Sequence, residues 1–295
     1  MKSAPYAPAV GCLMYAMVVT LPDISHTVGV INRFMHNPGR SHWNAVKHVF
    51  KYLAGTKDHN ILFGPNSTLV VVSYTDSDFA DCVDSRKSTT GYCFKFGNGA
   101  ISWKSKLQEC TATSTTEAEY VAASDASKEA LWLGRLAHMF RQVDSDSAPV
   151  VYSDSQSVVA LSKNPVHHNT SKHIEFRYHF VRDCIISGKI GLEKISTTDN
   201  VADGMTKCLS TDRFQSLRQT DMLLSGRHTG ELTELVQKLR LKFSMKDLGP
   251  ARHILGMKIS GNRAKRQLFL SQTDYIGHVL ERFNMQSAKS ASTPL

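Results

Sequence analysis

Leu69-Val70-Val71-Val72-Ser73-Tyr74-Thr75-Asp76 is an apolar run that closes on an acid. Four apolar residues in a row, without alternation, suit a central strand covered on both faces. A loop rich in Ser, Asp and Thr follows, through Thr90. Residues 92–96 and 100–104 then flank Gly97-Asn98-Gly99, a hairpin signal, and a third short strand is expected over 110–113. Ser114-Thr115-Thr116-Glu117 reads as a capping box opening a long helix that runs to about residue 138. Pro149-Val150-Val151-Tyr152-Ser153 is a second buried strand, ending at Asp154. Short helices, a helix over about 173–187, a strand over 189–196 and a last helix capped by Asn200 complete the pattern. The order predicts an α/β fold: a mixed sheet with helices packed on it.

Outward from this centre, residues 1–68 read as helices. Ile24, Val28, Ile31 and Phe34 share a helical period that Asn37-Pro38-Gly39 breaks. Ser41 is expected to cap a second helix bearing Trp43, Val46, Val49, Phe50 and Leu53, ended by Gly55. Residues 211–230 are polar and read as a linker. In 231–295 a helical pattern (Leu232, Leu235, Val236, Leu239) precedes strands at 254–259 and 267–270, joined by the basic turn 262–266, and then a helix over 275–283.

Composition narrows the class. The 295 residues are 41% hydrophobic and 21% charged, which permits a real core and excludes global disorder, collagen and coiled-coil types. No apolar run reaches membrane-spanning length. The longest, Val10 to Val19, imitates a signal-peptide core, but Pro5 and Pro8 precede it and no small-x-small cleavage site follows, so an intracellular protein, cytoplasmic or nuclear, is expected. Six cysteines without a C-x-x-C pair fit a reducing compartment. His173, His179 and Cys184 are close in sequence, yet they read better as polar positions on a helix than as a zinc site. The net charge of +9 is uneven: 1–68 carries +4, 69–210 carries −2, 211–230 carries +1 and 231–295 carries +6. An acidic metal site between phosphate-binding flanks fits this distribution, as does ordinary solvated surface.

Four acids fall where elements end: Asp76 and Asp154 at two strands, Glu119 in the first turns of the long helix, Asp203 in the first turn of the last. Parallel neighbours would bring Asp76 and Asp154 to one sheet edge, where ligands bind in α/β folds. Converging carboxylates raise one another's pKa values and are tolerable when divalent cations neutralise them. Hard Mg²⁺ prefers oxygen ligands, and two ions roughly 4 Å apart can activate water and stabilise the leaving oxygen in phosphodiester cleavage. Taken singly, each acid is better read as a turn, dipole or capping residue. The capping box already accounts for Glu117. Asp76-x-Asp78-x-x-Asp81 is not an EF-hand loop, since it lacks Gly at its sixth position and has Lys87 at its twelfth.

Several stretches together resemble the ribonuclease H domain of copia-type LTR retrotransposon polyproteins. They are Tyr74 to Ala80, Ser88 to Tyr92, Ile101 to Lys106, Ser114 to Tyr120, Tyr152 to Ser157, Lys172 to Phe180 and Asn200 to Lys207, in the family's order across 69–210. The resemblance implies a ribonuclease H-like mixed five-stranded sheet with helices on both faces, and cleavage of the RNA strand of an RNA–DNA hybrid with Mg²⁺ or Mn²⁺, as two ions. Carried over by position, Asp76, Glu119, Asp154 and Asp203 are the catalytic and metal-binding acids, and Thr115, Thr116 and Gln156 touch the hybrid. The His-containing loop that many cellular ribonucleases H place before the fourth acid has no room in Thr197-Thr198-Asp199-Asn200.

The flanks are similar to the same polyprotein. Residues 1–68, with Pro5-Tyr6-Ala7, Pro22-Asp23-Ile24 and His42-Trp43, resemble the connection segment. Residues 231–295, with Phe243 to Gly249, Ile254 to Met257 and Ser292 to Leu295, resemble the late reverse transcriptase, a partial α+β piece. In the family that piece lies upstream of the connection, so the order here is rearranged. No Tyr-x-Asp-Asp motif occurs, so no DNA synthesis is expected. Neither a membrane partner nor a small-molecule cofactor is implied. Competing readings are an inactive relic that at most binds nucleic acid, and an interaction protein that oligomerises through its N-terminal helices.

Overall fold

The structure, a computed structural model, describes residues 4–63, 71–96, 99–139, 148–163, 172–220, 252–262 and 267–294. The expected helix through Leu232 to Leu239 and the turn 263–266 lie outside these residues.

The chain opens with α1 (Tyr6–Val19), a 3-10 turn (Pro22–Ile24), α2 (Ser25–Asn32) and α3 (Arg40–Thr56). Tyr6, Val10 and Leu13 of α1 pack with Val28 and Ile31 of α2 and with Val46, Val49, Phe50 and Leu53 of α3. α3 begins one residue before Ser41, and its first turn is closed by the Gly39 N–H donating to His42 Nδ1 at 2.8 Å. Gly55 does not end α3. It lies inside the helix, where a Cβ would stand 2.7 Å from Ser290 Cβ, so its role is close approach.

After β1 (Ile61–Phe63) come β2 (Val71–Ser77), β3 (Thr89–Phe96) and β4 (Gly99–Leu107), then α4 (Thr115–Met139), β5 (Val150–Ser153), α5 (Gln156–Lys163), α6 (Lys172–Ile186) and β6 (Gly191–Lys194). A 3-10 turn (Thr197–Asp199) leads into α7 (Asp203–Thr206) and α8 (Thr211–Thr220). The central sheet has the order β4-β3-β2-β5-β6; β2, β3 and β4 are antiparallel, and β5 and β6 run parallel to β2. This is the expected mixed five-stranded α/β sheet. The expected strand at 110–113 is absent: the chain turns out of β4 once Gln108 is anchored, and 109–114 is irregular.

Facing residues in an antiparallel pair share a side of the sheet, so Thr75 lies with Tyr92 and Asp76 with Gly91. The Tyr92 side carries α4, with Tyr120, Ala123, Ala126 and Ala130 buried against Phe94 and Val151, and Val181 and Cys184 of α6 beside them. The opposite side carries α7, which contacts both β2 and β3. Helices therefore cover both faces. This explains the unalternated Val71-Val72 run at the start of β2.

The expected linker 211–230 is helical in its first half, as α8, and Phe214 is buried in the N-terminal core. Residues 221–230 lie outside the described residues. β7 (His253–Ile254), β8 (Met257–Asn262), β9 (Gln267–Ser271) and α9 (Thr273–Arg282) follow. The predicted strand 254–259 is broken at Leu255-Gly256, which both take positive φ (46° and 69°) to make a tight turn between β7 and β8. β9 pairs with β1, giving a second sheet of order β1-β9-β8-β7. Ile276, Val279 and Leu280 of α9 join the N-terminal core, and Phe283 stacks on Phe50 at 5.0 Å. The N-terminal helices and α9 thus bury one core, interrupted in sequence by the α/β domain, while Leu270 of β9 and Ile61 of β1 pack against Phe96, Ile101 and Trp103 of the central sheet. No described helix is long and apolar enough to cross a membrane.

Candidate metal centre

Register alone brings two acids together. β2 and β5 are parallel neighbours with Thr75 opposite Ser153, so the next residues, Asp76 and Asp154, emerge side by side at the carboxyl edge of the sheet. Asp76 sits on the α7 side, opposite Gly91. Gly91 lets α7 lie on β3: a Cβ there would stand 2.6 Å from Thr206 Cγ2 and 2.8 Å from Met205 Cβ. Asn200, fully buried, clips the approach to α7, donating from Nδ2 to the Thr75 carbonyl at 3.1 Å and accepting the Ala202 N–H at 3.2 Å. Asp203 is thereby delivered to the cluster. Asp76, Asp154 and Asp203 each offer an oxygen, and these atoms lie within 4.8 Å of one another.

Glu119 arrives from α4. Its helix is fixed by Gln108, whose Nε2 donates to Ser77 Oγ, Thr90 Oγ1 and the Ala118 carbonyl. Glu119 Oε2 is buried without a hydrogen-bond partner. Burial, reinforced by Asp76 and Asp154, pushes the Glu119 carboxyl up to about 9. Burial also raises Asp76, to about 6, although Lys207 and the Thr206 hydroxyl pull the other way. Thr206 Oγ1 donates to Asp76 Oδ2.

Two cations offset the charge. Lys207, one helical turn after Asp203, places Nζ 2.8 Å from Asp203 Oδ1 and 3.5 Å from Asp76 Oδ2. Burial works against the charge on Lys207, but Asp76 and Asp203 outweigh it and raise its pKa. Arg213, from α8, pairs with Asp203 Oδ2 and also donates to the Thr197 carbonyl. Asp203 is only 1% exposed, so a counter-charge is a requirement for its ionised form. The donor set is all oxygen, Glu119 keeps a buried oxygen without a partner and a raised pKa, and Lys207 and Arg213 stand at the carboxylates. These are the features of residues suited to a hard divalent cation.

The sequence-predicted hybrid contacts sit around the cluster. Thr115 and Thr116 open α4, and Gln156 opens α5, where it is exposed. Glu117 behaves as a capping acid, though its partner differs from a strict box: Oε2 accepts the Thr113 N–H at 2.8 Å, while the Glu117 N–H donates to Ser114 Oγ at 3.1 Å. Asp78 accepts the Thr89 N–H at 2.8 Å, a loop-fixing role rather than a calcium ligand. On α6, His179 is exposed and Cys184 buried; the side chain of His173 lies outside the described residues. Lys207 belongs to a motif read from sequence, but its role was not foreseen. Neither were Gln108 and Arg213.

Residues 207–295 match the family described as reverse transcriptase (RNA-dependent DNA polymerase). The chain is 47% identical over 229 residues to the retrovirus-related Pol polyprotein from transposon TNT 1-94 of Nicotiana tabacum, covering 78% of this chain and 17% of that one. It is 40% identical over 211 residues to the corresponding polyprotein from transposon RE2 of Arabidopsis thaliana, covering 72% of this chain and 14% of that one. The chain thus spans less than a fifth of the length of either polyprotein. Among solved structures, LC11-RNase H1, isolated from compost by a metagenomic approach, aligns with 47% of this chain and 94% of its own, at 17% identity and a TM-score of 0.36. The observed sheet order, not this likeness, defines the fold.

Proposed function

The chain belongs to the retrovirus-related Pol polyproteins of copia-type transposons, and from that premise we propose that its α/β domain is a ribonuclease H that hydrolyses the RNA strand of an RNA–DNA hybrid inside the cell. The observation that carries the reading is the meeting of Asp76, Asp154 and Asp203 within 4.8 Å at the carboxyl edge of parallel strands, with Glu119, whose buried Oε2 has no hydrogen-bond partner, on α4. Asp76, Glu119, Asp154 and Asp203 would hold Mg²⁺ or Mn²⁺, as two ions. Bound there, the metal supplies Lewis-acid stabilisation of the phosphodiester and an acidified water.

The chain's own groups set the rest. Asp76 and Asp154 present oxygens from adjacent strands and need no rearrangement of the sheet to converge. Glu119 must release its proton before it can act as a ligand. Asp203 must share its charge between the metal and its two cationic partners. Thr115, Thr116 and Gln156 offer short polar donors and acceptors at helix starts, suited to phosphates and 2′-hydroxyls, so recognition follows the shape of the hybrid more than its sequence. The test is cleavage of a labelled RNA strand annealed to DNA, with Mg²⁺ or Mn²⁺, by the wild type and by Asp154→Asn. Metal-dependent cleavage that spares single-stranded RNA and vanishes in the variant supports the reading. A folded wild-type protein that cleaves nothing refutes it and favours the second reading, a relic that at most binds nucleic acid, for which the rearranged segment order speaks.

A further inference from the structure

We propose that Arg213 is a resident counter-ion that withholds Asp203 from the metal, and that the seating of α8 on the N-terminal helical core sets how firmly it does so. The inference rests on the metal-site reading above and concerns the regulation of that same site.

Both oxygens of Asp203 face protein cations: the Lys207 ammonium stands 2.8 Å from Oδ1, which accepts no hydrogen bond, and the Arg213 guanidinium donates to Oδ2. A divalent cation that takes this 1% exposed aspartate as a ligand therefore competes with the two cations already beside it. The two differ in how they are held. Lys207 directly follows α7, the helix that begins at Asp203, and also reaches Asp76 at 3.5 Å, so it moves with the site. Arg213 comes from a separate helix and is held to the site by ionic and hydrogen bonds to Asp203 and the Thr197 carbonyl.

The next residue fixes that helix elsewhere. Phe214 is buried in the N-terminal core, edge-on to Tyr52 of α3 with ring centroids 5.9 Å apart at 77°. Beneath α8 lies a small apolar cavity of about 50 Å³ lined by Cys93, Met205, Leu209, Phe214 and Leu217. Phe214 therefore anchors α8 to the helical module while Arg213 reaches the acids from the same turn. Withdrawing the helix withdraws the guanidinium. The contact couples the packing of the flanking module to the openness of a carboxylate in the central domain.

Mn²⁺ alone is the probe, titrated calorimetrically and by electron paramagnetic resonance into the full chain. Wild type, Arg213→Met, Arg213→Lys, Phe214→Ala and Asp154→Asn are compared. Met keeps the bulk of the stem but not the charge, and is expected to bind Mn²⁺ about ten-fold tighter, equivalent to about 1.4 kcal/mol. Lys, which keeps the charge, stays within about three-fold of wild type, an effect of roughly half that size. Phe214→Ala keeps the arginine but unseats the helix, and shifts the affinity in the same direction as Met. Asp154→Asn weakens binding.

A folded Arg213→Met protein whose affinity is unchanged or weaker overturns the inference, because Arg213 is then indifferent or orients Asp203 for the metal. Should Arg213→Met fail to fold, Phe214→Ala decides: unchanged affinity there overturns the coupling. If wild type binds Mn²⁺ and neither variant gains, only this inference falls. If no variant and no wild type binds, the metal-site reading falls and takes this one with it.

Discussion

Replacing Glu119 by Gln should remove a pH-dependent penalty from the metal-free protein. The Glu119 carboxyl is raised from an ordinary value of 4.5 to about 9, first by burial and then by Asp76 and Asp154. A carboxyl whose folded pKa lies above its unfolded one binds more protons folded than unfolded. Its contribution to stability is complete below the unfolded pKa and is lost as pH rises toward the folded pKa. Asp76 behaves the same way with its midpoint at about 6, so above about pH 6.5 it is mostly ionised and Glu119 carries most of the remaining slope. Between about pH 6.5 and about pH 8 the interval is 1.5 units, which at about 1.36 kcal/mol per unit gives a loss of about 2 kcal/mol for wild type. Water entry and side-chain relaxation take back part of that, leaving roughly 1–2 kcal/mol. Gln does not titrate, so Glu119→Gln should lack this slope. The assay is urea denaturation of both proteins across the window in the presence of a chelator, read as the difference between the two profiles so that other titrating groups cancel. Parallel profiles would refute the reasoning: Glu119 would then be ionised in the metal-free fold, and the unpartnered oxygen would need another explanation.

Gly91→Ala should push α7 away from β3, because the new Cβ meets Thr206 and Met205 at under 3 Å. A loss of about 1–3 kcal/mol is expected in chemical denaturation, together with weaker Mn²⁺ binding as Asp203 is displaced. Asn200→Ala leaves the Thr75 carbonyl and the Ala202 N–H without their partner and should cost about 1–3 kcal/mol, read as a fall in melting temperature. Phe50→Ala empties a fully buried position stacked on Phe283 and should cost about 3–5 kcal/mol, with the added readout that amides of α9 exchange faster. A chain ending at Thr220 should lose protection from hydrogen exchange throughout α1 and α3 and at the β1 and β4 positions that Leu270 covers, while β2 and β5 keep theirs.

The parts of the site that were legible were those dictated by the chain's own periodicity. Two apolar runs, each closed by an acid, announced Asp76 and Asp154, and parallel pairing in register brought them together as a strand-end argument requires. Glu119 could be separated from Glu117 because the capping geometry uses up one acid and leaves the other facing inward. What stayed hidden depends on contacts between distant segments. Gln108 sits in a stretch read as leading to a strand, and nothing local says that its amide will tie β2, β3 and α4 together. Lys207 did carry a signal, its four-residue spacing from Asp203. Arg213 carried almost none: polar neighbours made 211–230 look like a linker, and the only hint of a helix with a buried side was the spacing of Phe214 and Leu217.

The C-terminal segment carries the larger lesson about chain order. Read alone, the apolar positions of 231–295 have no evident partner. In the fold, the described portion finds one at the far end of the sequence. β9 pairs with β1 from Ile61↔Leu270 to Phe63↔Leu268, Thr20 Oγ1 donates to Gln272 Oε1 at 2.5 Å, and the Ala291 N–H donates to the Lys51 carbonyl at 3.2 Å. Gly55 opposite Ser290 and Phe50 on Phe283 show side-chain fit as well as backbone pairing. Packing is a property of surfaces, not of the order in which the chain supplies them, so a C-terminal segment can complete a core begun by the N-terminal helices, at an entropic cost that grows only slowly with the length of chain between. Because α8 bridges that core to Asp203 through Phe214 and Arg213, the C-terminal segment bears on the acid site through that helix: anything that loosens α3 loosens the seat of Phe214, and with it the grip of Arg213 on Asp203.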